Sequence, residues 1–350
     1  MLKDEVLKIL LSSGSHVSGQ DISNKLGVSR TAVWKAVSAL KNDGYDIESV
    51  NNKGYLLTKN KSILNEAEIE TCMHLYDCKV FPKVLYFNSI DSTNTYAKNA
   101  ADLIPSDFLV VADTQTLGRG RLGRSWSSPS STGIYMSLCI RPNISLEKAS
   151  MITLITAMAI CDAIEELYNI SPLIKWPNDI VVSSKKICGI LTEMSCDMDG
   201  IKYIISGVGI NVYDTSFPDD IKDTASSLLL ETGIKADRAK MISSAIYHFY
   251  EDLDTFIKTE DMSALKSKYE SRLANIGREV MILDPKGEYP ATALGIDETG
   301  ALLVNANGKI KRTLDFSRVL VKLLTGLGPV TSSLPMRCAT TCATAASTSY

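Results

Sequence analysis

A chain of 350 residues is longer than one ordinary compact core and predicts two or three domains. With 45% hydrophobic residues, 22% charged residues and a formal net charge of −3, the composition is that of a soluble globular protein, and it confines any nucleic-acid contact to a local basic surface. No run of about 18 uncharged apolar residues occurs, which excludes an obvious membrane span. The N-terminal stretch MLKDEVLKILLSSG carries charges within its apolar positions and reads as an amphipathic helix, not a signal peptide. Eight cysteines (Cys72, Cys78, Cys139, Cys161, Cys188, Cys196, Cys338 and Cys342) form no C-x-x-C pair, and His16, His74 and His248 show no zinc spacing. Reduced thiols and a cytoplasmic location are therefore expected.

In chain order, residues 1–60 form a self-contained pattern. Leu2, Val6, Leu7, Ile9 and Leu10 recur at helical spacing, and Ser18 precedes a short helix with Ile22 and Leu26 on one face and Gly27 as its stop. Ser29 then caps a third helix whose Val33, Ala36, Val37 and Leu40 face inward. Gly44 ends it, and YDIESV-NNKG-YLL reads as two strands around a turn. This order is that of a winged helix-turn-helix. Ser29, Arg30, Thr31 and Lys35 cluster where a recognition helix meets the major groove, and Lys53 lies at the wing tip, so these five are the candidate DNA contacts.

Residues 61–82 read as a linker passing into a helix. From 83 to 272 strands and helices alternate, with a long apolar helix from about Leu146 to Tyr168 and a helical stretch from about 236 to 275, giving an α+β domain on one main sheet. Residues 273–324 give short strands joined by Gly turns, as in a small β-barrel. The Thr/Ser/Ala-rich text of 325–350 lacks either periodicity and is expected to be disordered.

The chemistry concentrates in three stretches. GRGRLGRSW (118–126) alternates glycine with arginine, which suits neither a strand nor a core; it suits a loop whose backbone approaches an anion and whose guanidinium groups bind phosphate or carboxylate. The terminal Trp126 suits closure over a flat ligand. In KWPND (175–179), Pro177 turns the chain at a strand end and presents Asn178 and Asp179 near Lys175, with Lys186 close behind. The glycines of GVGINV (207–212) sit in a strand and suggest close backbone approach by a ligand.

With Asp91-Ser92-Thr93-Asn94, Gln115 and KKICGIL (185–191), these stretches resemble the biotin–protein ligase family, in its order and approximate spacing. The winged head resembles that of the members that also repress biotin genes, and the likeness covers residues 2–316. The resemblance implies an α+β multidomain fold: the winged head, a class II synthetase-like mixed-sheet catalytic domain and a small SH3-like β-barrel. It implies biotin and ATP as substrates with Mg²⁺, a biotin carboxyl carrier protein as acceptor, operator DNA, and a ligand-promoted homodimer. Carried onto this sequence, it implies biotin contacts at Ser92, Thr93, Asn94, Gln115, Arg119, Gly120, Arg121 and Lys186. Nucleotide contacts are implied at Trp126, Lys175, Asn178 and Asn211, and catalytic roles for Arg119, Arg121, Lys186 and Asp179, the last also meeting the metal.

Such an enzyme needs no nucleophile of its own. A carboxylate is activated as a mixed anhydride with AMP, the acceptor lysine attacks, and the protein supplies positioning, positive charge and exclusion of water. A sensor with a degraded centre and a lipoate-type transferase are the competing readings; the intact loop, Asp179 and Lys186 oppose the first, and the winged head and GRGRLGR oppose the second. The sequence departs from the family after Phe316, where Ser317-Arg318-Val319-Leu320 leads into the tail in place of Gly-Glu and a further β-run. An incomplete terminal domain is the expectation there.

Overall fold

The computed structural model describes residues 2–42, 44–59, 64–76, 78–198, 200–284, 287–313 and 320–323. The head comprises α1 (Leu2–Ser13), α2 (Gly19–Leu26), α3 (Arg30–Asn42) and the antiparallel hairpin β1 (Asp46–Val50) and β2 (Gly54–Lys59). Its local signals act as expected. The Ser18 hydroxyl accepts from the Asp21 N–H, Gly27 takes a left-handed φ of 66° that lets the chain leave α2, and Ser29 Oγ accepts from the Ala32 N–H at 3.2 Å. Val6, Leu7, Leu10, Ile22, Val33, Val37 and Leu40 form a core of their own.

The segment read as a linker contributes a packed helix, α4 (Glu66–Leu75). Its Ala67 joins the head's core, while Ile69, Cys72 and Met73 join the core of the next domain. Lys8 of α1 pairs with Glu70 of α4 at 2.7 Å, and Asn65 at the helix cap donates to the Tyr45 hydroxyl. Residues 61–63 lie outside the described residues.

The central domain is built from β3 (Lys83–Phe87), α5 (Thr93–Ala100), β4 (Phe108–Ala112), β5 (Gly133–Ile140), α6 (Met151–Tyr168), β6 (Leu173–Lys175), β7 (Asp179–Val182), β8 (Lys185–Asp197), β9 (Gly200–Asn211), α7 (Leu228–Thr232), α8 (Arg238–Thr259) and α9 (Lys266–Glu270). The strands form one mixed sheet in the order β3-β4-β5-β9-β8-β7-β6, parallel only between β3 and β4. The long apolar helix starts at Met151 and not at Leu146, because residues 146–148 make a separate 3-10 turn with Leu146 exposed. The helical stretch after 236 divides at Glu260, whose left-handed φ of 58° ends α8. No described helix is long and apolar enough to cross a membrane.

The terminal sheet is antiparallel, with order β13-β12-β11-β10-β14 for β10 (Glu279–Asp284), β11 (Gly287–Ile296), β12 (Leu302–Ala306), β13 (Lys309–Thr313) and β14 (Leu320–Leu323). The altered text after Phe316 therefore still supplies a strand: Leu320–Leu323 pairs with β10, as an apolar run can whatever its origin. The expected point of departure at 314–319 and the tail at 325–350 lie outside the described residues. Val280, Ile282, Ile296, Leu302 and Val304 share the core of the central domain. Trp176, fully buried, donates from its indole to the Gly300 carbonyl at 3.1 Å, and its backbone N–H donates to Asn275 Oδ1 at 2.8 Å. Terminal-domain packing thus holds the KWPND turn in place.

Candidate functional site

A cleft opens at the ends of β4, β8 and β9, lined by Ser92, Thr93, Asn94, Gln115, Arg119, Gly120, Arg121, Trp126, Asn178, Lys186, Gly189 and Gly207 among others. Stretches at 92–94, 115–126, 178–191 and 207–209 meet there, because β5, β9 and β8 lie side by side in the sheet.

One end of the cleft is neutral and rich in hydrogen bonds. Ser92 caps α5, so the next two side chains, Thr93 and Asn94, sit in its buried first turn. Gln115 Oε1 accepts from the Thr93 N–H at 2.9 Å, and Gln115 Nε2 donates to Ser128 Oγ at 2.9 Å. Ser137, fully buried in β5, places its hydroxyl 2.7 Å from Thr93 Oγ1 and 2.6 Å from Asn94 Oδ1. Asn94 Nδ2 donates to Glu193 Oε2 at 2.8 Å and to the Leu191 carbonyl. Asn94 therefore spends its amide on the protein and shapes the wall.

The other end is cationic. Lys186 Nζ lies 2.7 Å from Asp179 Oδ1 and 5.4 Å from the centre of the Trp126 ring. Arg121 donates to Asn178 Oδ1 at 2.5 Å, and Asn178, itself buried, donates to the Ile190 carbonyl at 3.0 Å. The arginine loop is folded on itself: the Gly120 N–H donates to the Arg124 carbonyl at 2.7 Å, residues 121–123 form a 3-10 turn, and Arg119 is exposed, 3.8 Å from Glu193.

The strand glycines have a more specific use than ligand approach. A Cβ on Gly209 would lie 2.5 Å from the Trp126 indole nitrogen, one on Gly189 2.8 Å from the same ring, and one on Gly207 2.0 Å from Asn94 Oδ1. These glycines make room for side chains of the chain itself. Trp126 Nε1 is buried with no hydrogen-bond partner among the described residues.

Two nucleotide candidates stand elsewhere. Lys175 is at the edge of the sheet, paired in register with Asp179, outside the cleft lining, and Asn211 is buried with its amide donating to the Ser226 carbonyl at 3.0 Å. Sequence reading missed Ser137 and Glu193, and it missed the buried ion pair of Arg238 with Asp113 at 2.9 Å. Asp113 also accepts from the Ser131 N–H and the Ser130 hydroxyl, so the pair fixes the stretch that follows Trp126. A lone serine inside the apolar run GIYMSLCI was the available signal for Ser137.

Among the described residues no cysteine lines the cleft. Burial pushes the thiol of Cys139 up to about 11 and that of Cys72 up to about 12, and raises Cys188 well above the usual range. No group of three or more metal-ligating side chains occurs among the described residues.

Family models match the chain in three places: an HTH domain at residues 3–56, the biotin/lipoate A/B protein ligase family at 86–211, and the biotin protein ligase C-terminal domain at 276–326. The bifunctional ligase/repressor BirA of Bacillus subtilis is 39% identical over 315 residues, covering 89% of this chain and 96% of that protein. The chain belongs to the bifunctional biotin ligase/repressor family. The BirA of Escherichia coli is 30% identical over 302 residues, 86% of this chain and 92% of that one. The biotin protein ligase of Aquifex aeolicus, solved with biotin and ATP, superposes with a TM-score of 0.61 at 31% identity, over 69% of this chain and 100% of its own.

Between the HTH match and the ligase match lies α4, whose Ala67 packs in the head's core and whose Ile69, Cys72 and Met73 pack in that of the central domain. Ser29, Arg30, Thr31, Trp34 and Lys35 are all exposed along the start of α3, and Lys53 is exposed in the turn between β1 and β2. Exposed cations thus stand at the start of α3, at Arg30 and Lys35, and in the turn of the hairpin, at Lys53. The terminal-domain match runs through 326, across the departure noted after Phe316.

Proposed function

We infer that this chain is an ATP-dependent biotin–protein ligase and a biotin-dependent repressor of biotin genes. The observation that carries the first half is a single cleft with a neutral hydrogen-bonding end, at Thr93 and Gln115, and a cationic end, at Lys186, Arg119 and Arg121. A ligand with a polar uncharged ring at one extremity and a carboxylate at the other fits that polarity, and biotin is such a ligand. Ser92, Thr93 and Gln115 bind the ureido ring, with Asn94 shaping the pocket. Lys186 and Arg119 receive the carboxylate, and Gly120 lets the loop backbone approach it.

Adenylation places negative charge on the α-phosphate and on departing pyrophosphate. Arg121 and Lys186 are positioned to offset that charge, and Asn178 and Asp179 hold them ready through the contacts of 2.5 and 2.7 Å. Trp126 stacks near the adenine, while Lys175 and Asn211 act from outside the cleft by supporting the turn and the end of β9. Mg²⁺, if bound with ATP, would find one carboxylate at Asp179, which would suit an ion held mainly by phosphates and water, and it would supply positive charge to the departing pyrophosphate. Closure of the arginine loop excludes water from biotinyl-adenylate until the lysine of a biotin carboxyl carrier protein attacks.

The architecture read this way is a class II synthetase-like central domain with an SH3-like terminal barrel. Residues 190–197 of β8 extend past β7, with exposed Met194 on them and exposed Met198 directly after the strand, which supports a homodimer edge. Operator DNA is read by α3 and the wing, one half-site per protomer.

Two substitutions test the catalytic half. Lys186→Ala removes a charge-assisted contact, and biotin-dependent pyrophosphate release should fall by about 10- to 100-fold; unchanged release and unchanged biotin affinity by calorimetry contradict the assignment. Arg121→Gly should open the lid, so that adenylate escapes and labels lysines of unrelated proteins. Retention of the adenylate and of acceptor selectivity by that variant contradicts the lid.

A further inference from the structure

Glu193 stands behind the cleft lining, in contact with Asn94, and has no role in the chemistry described above. It stands on β8, partly buried, with one oxygen 2.8 Å from Asn94 Nδ2 and the other 3.8 Å from Arg119 Nη1. Proton counting shows what it controls. The amide of Asn94 faces a carboxylate and the Leu191 carbonyl on one side, and neither can donate, so the NH₂ group must lie there and Oδ1 must face Ser137. Ser137 has a single proton, and at 2.6 Å from an amide oxygen that cannot donate, this proton belongs to Asn94 Oδ1. The 2.7 Å contact between Ser137 and Thr93 then needs the Thr93 proton. Gln115 Oε1 accepts from the Thr93 N–H at 2.9 Å and also lies 3.1 Å from Thr93 Oγ1, the longer of the two contacts that compete for the Thr93 proton, and one Gln115 Nε2 proton goes to Ser128. Left over toward a ligand are the lone pairs of Thr93 Oγ1 and the second N–H of Gln115. They form an acceptor and a donor side by side, the complement of an N–H and C=O edge of a ureido ring.

We propose that Glu193 is a positioning residue that sets the polarity of this chain by fixing the Asn94 amide, and that through Arg119 it ties the ring-binding end of the cleft to the arginine loop. The proposal rests on the reading of the cleft as the biotin pocket. With the carboxylate gone, the amide can turn over, Ser137 then donates to Thr93, and Thr93 loses a lone pair that it offers the ligand. Buried networks of this kind transmit a change at one end because each hydroxyl has only one proton to place.

The test uses the full chain and calorimetry with two ligands: biotin, and the analogue in which an imino group replaces the ureido oxygen. Glu193→Ala should weaken biotin binding about tenfold or more, narrow the preference for biotin over the imino analogue, and leave turnover at saturating biotin within about twofold. Glu193→Gln keeps an oxygen for Asn94 and should restore most of the affinity and the preference, while losing the charge that holds Arg119; trypsin should then cut the ligand-free loop at Arg119, Arg121 or Arg124 faster than in the wild type. Melting curves check that each variant is folded. Unchanged affinity and preference in a folded Glu193→Ala overturn the proposal, as does a loss that leaves the preference unchanged and is not restored by Glu193→Gln. Thr93→Val serves as the separate control: if it too leaves biotin binding intact, the pocket reading itself fails, whereas a loss in Thr93→Val beside an unaffected Glu193→Ala removes only the role of Glu193.

Discussion

Replacing Gly207 with Ala is expected to abolish biotin binding while leaving the chain folded. The new Cβ would stand 2.0 Å from Asn94 Oδ1, 2.7 Å from its Cγ and 2.8 Å from its Nδ2. Asn94 has no room to yield cheaply: it is buried, short, and held by Ser137, Glu193 and Leu191 at once. Overpacking of this size costs roughly 1 to 3 kcal/mol of stability, which a domain of this extent tolerates. The displaced amide, however, takes the Thr93 and Gln115 geometry with it, so biotin affinity should fall by about a hundredfold or more. Calorimetry with a melting curve decides the matter, and a folded Gly207→Ala variant that binds biotin normally removes the ring pocket from this position.

The second large effect concerns the head. Arg30→Ala combined with Lys35→Ala deletes two exposed cations at the start of α3 without touching Val33, Ala36, Val37 or Leu40, which hold that helix to the core. Operator binding should weaken and its dependence on salt should flatten, by roughly one unit of slope per lost phosphate contact. Biotinylation should survive, since neither residue lines the cleft. An anisotropy titration against DNA upstream of biotin genes, with and without adenylate, measures both quantities. Identical operator binding in the double variant makes the head a structural appendage. Coupling is expected as well: if the adenylate favours the dimer, the dimer favours the adenylate to the same degree.

Local grammar was legible in the sequence. Ser18, Gly27 and Ser29 cap and stop helices where their chemistry requires, the glycine-arginine loop falls outside the strands, and Trp176, Pro177 and Asn178 turn the chain between β6 and β7. Long-range partners were not legible. The Asn94–Glu193 hydrogen bond spans 99 positions and the Arg238–Asp113 pair 125, and nothing in either neighbourhood names the other. The glycines of β9 were read as sites where a ligand approaches the backbone, but periodicity cannot say whether a ligand or a side chain approaches; here Asn94 meets Gly207 and Trp126 meets Gly209, and Gly189 of β8, which carried no such reading, also meets Trp126. Lys175 and Asn211 adjoin cleft residues in sequence yet lie off its lining, because Lys175 sits on the edge strand and Asn211 turns its amide to Ser226. Residues 61–82 were read as a linker passing into a helix; that α4 packs on two cores was not legible, because its apolar positions are divided between them and form no single stripe.

Incubation of the intact chain with ATP, biotin and a biotinyl-domain acceptor, followed by detection with streptavidin, tests the ligase assignment most directly. The account predicts label on one acceptor lysine, dependent on ATP and accompanied by pyrophosphate release. An acceptor that stays unlabelled at saturating ATP and biotin, in a preparation that binds biotin, contradicts it and leaves a sensor without ligase chemistry.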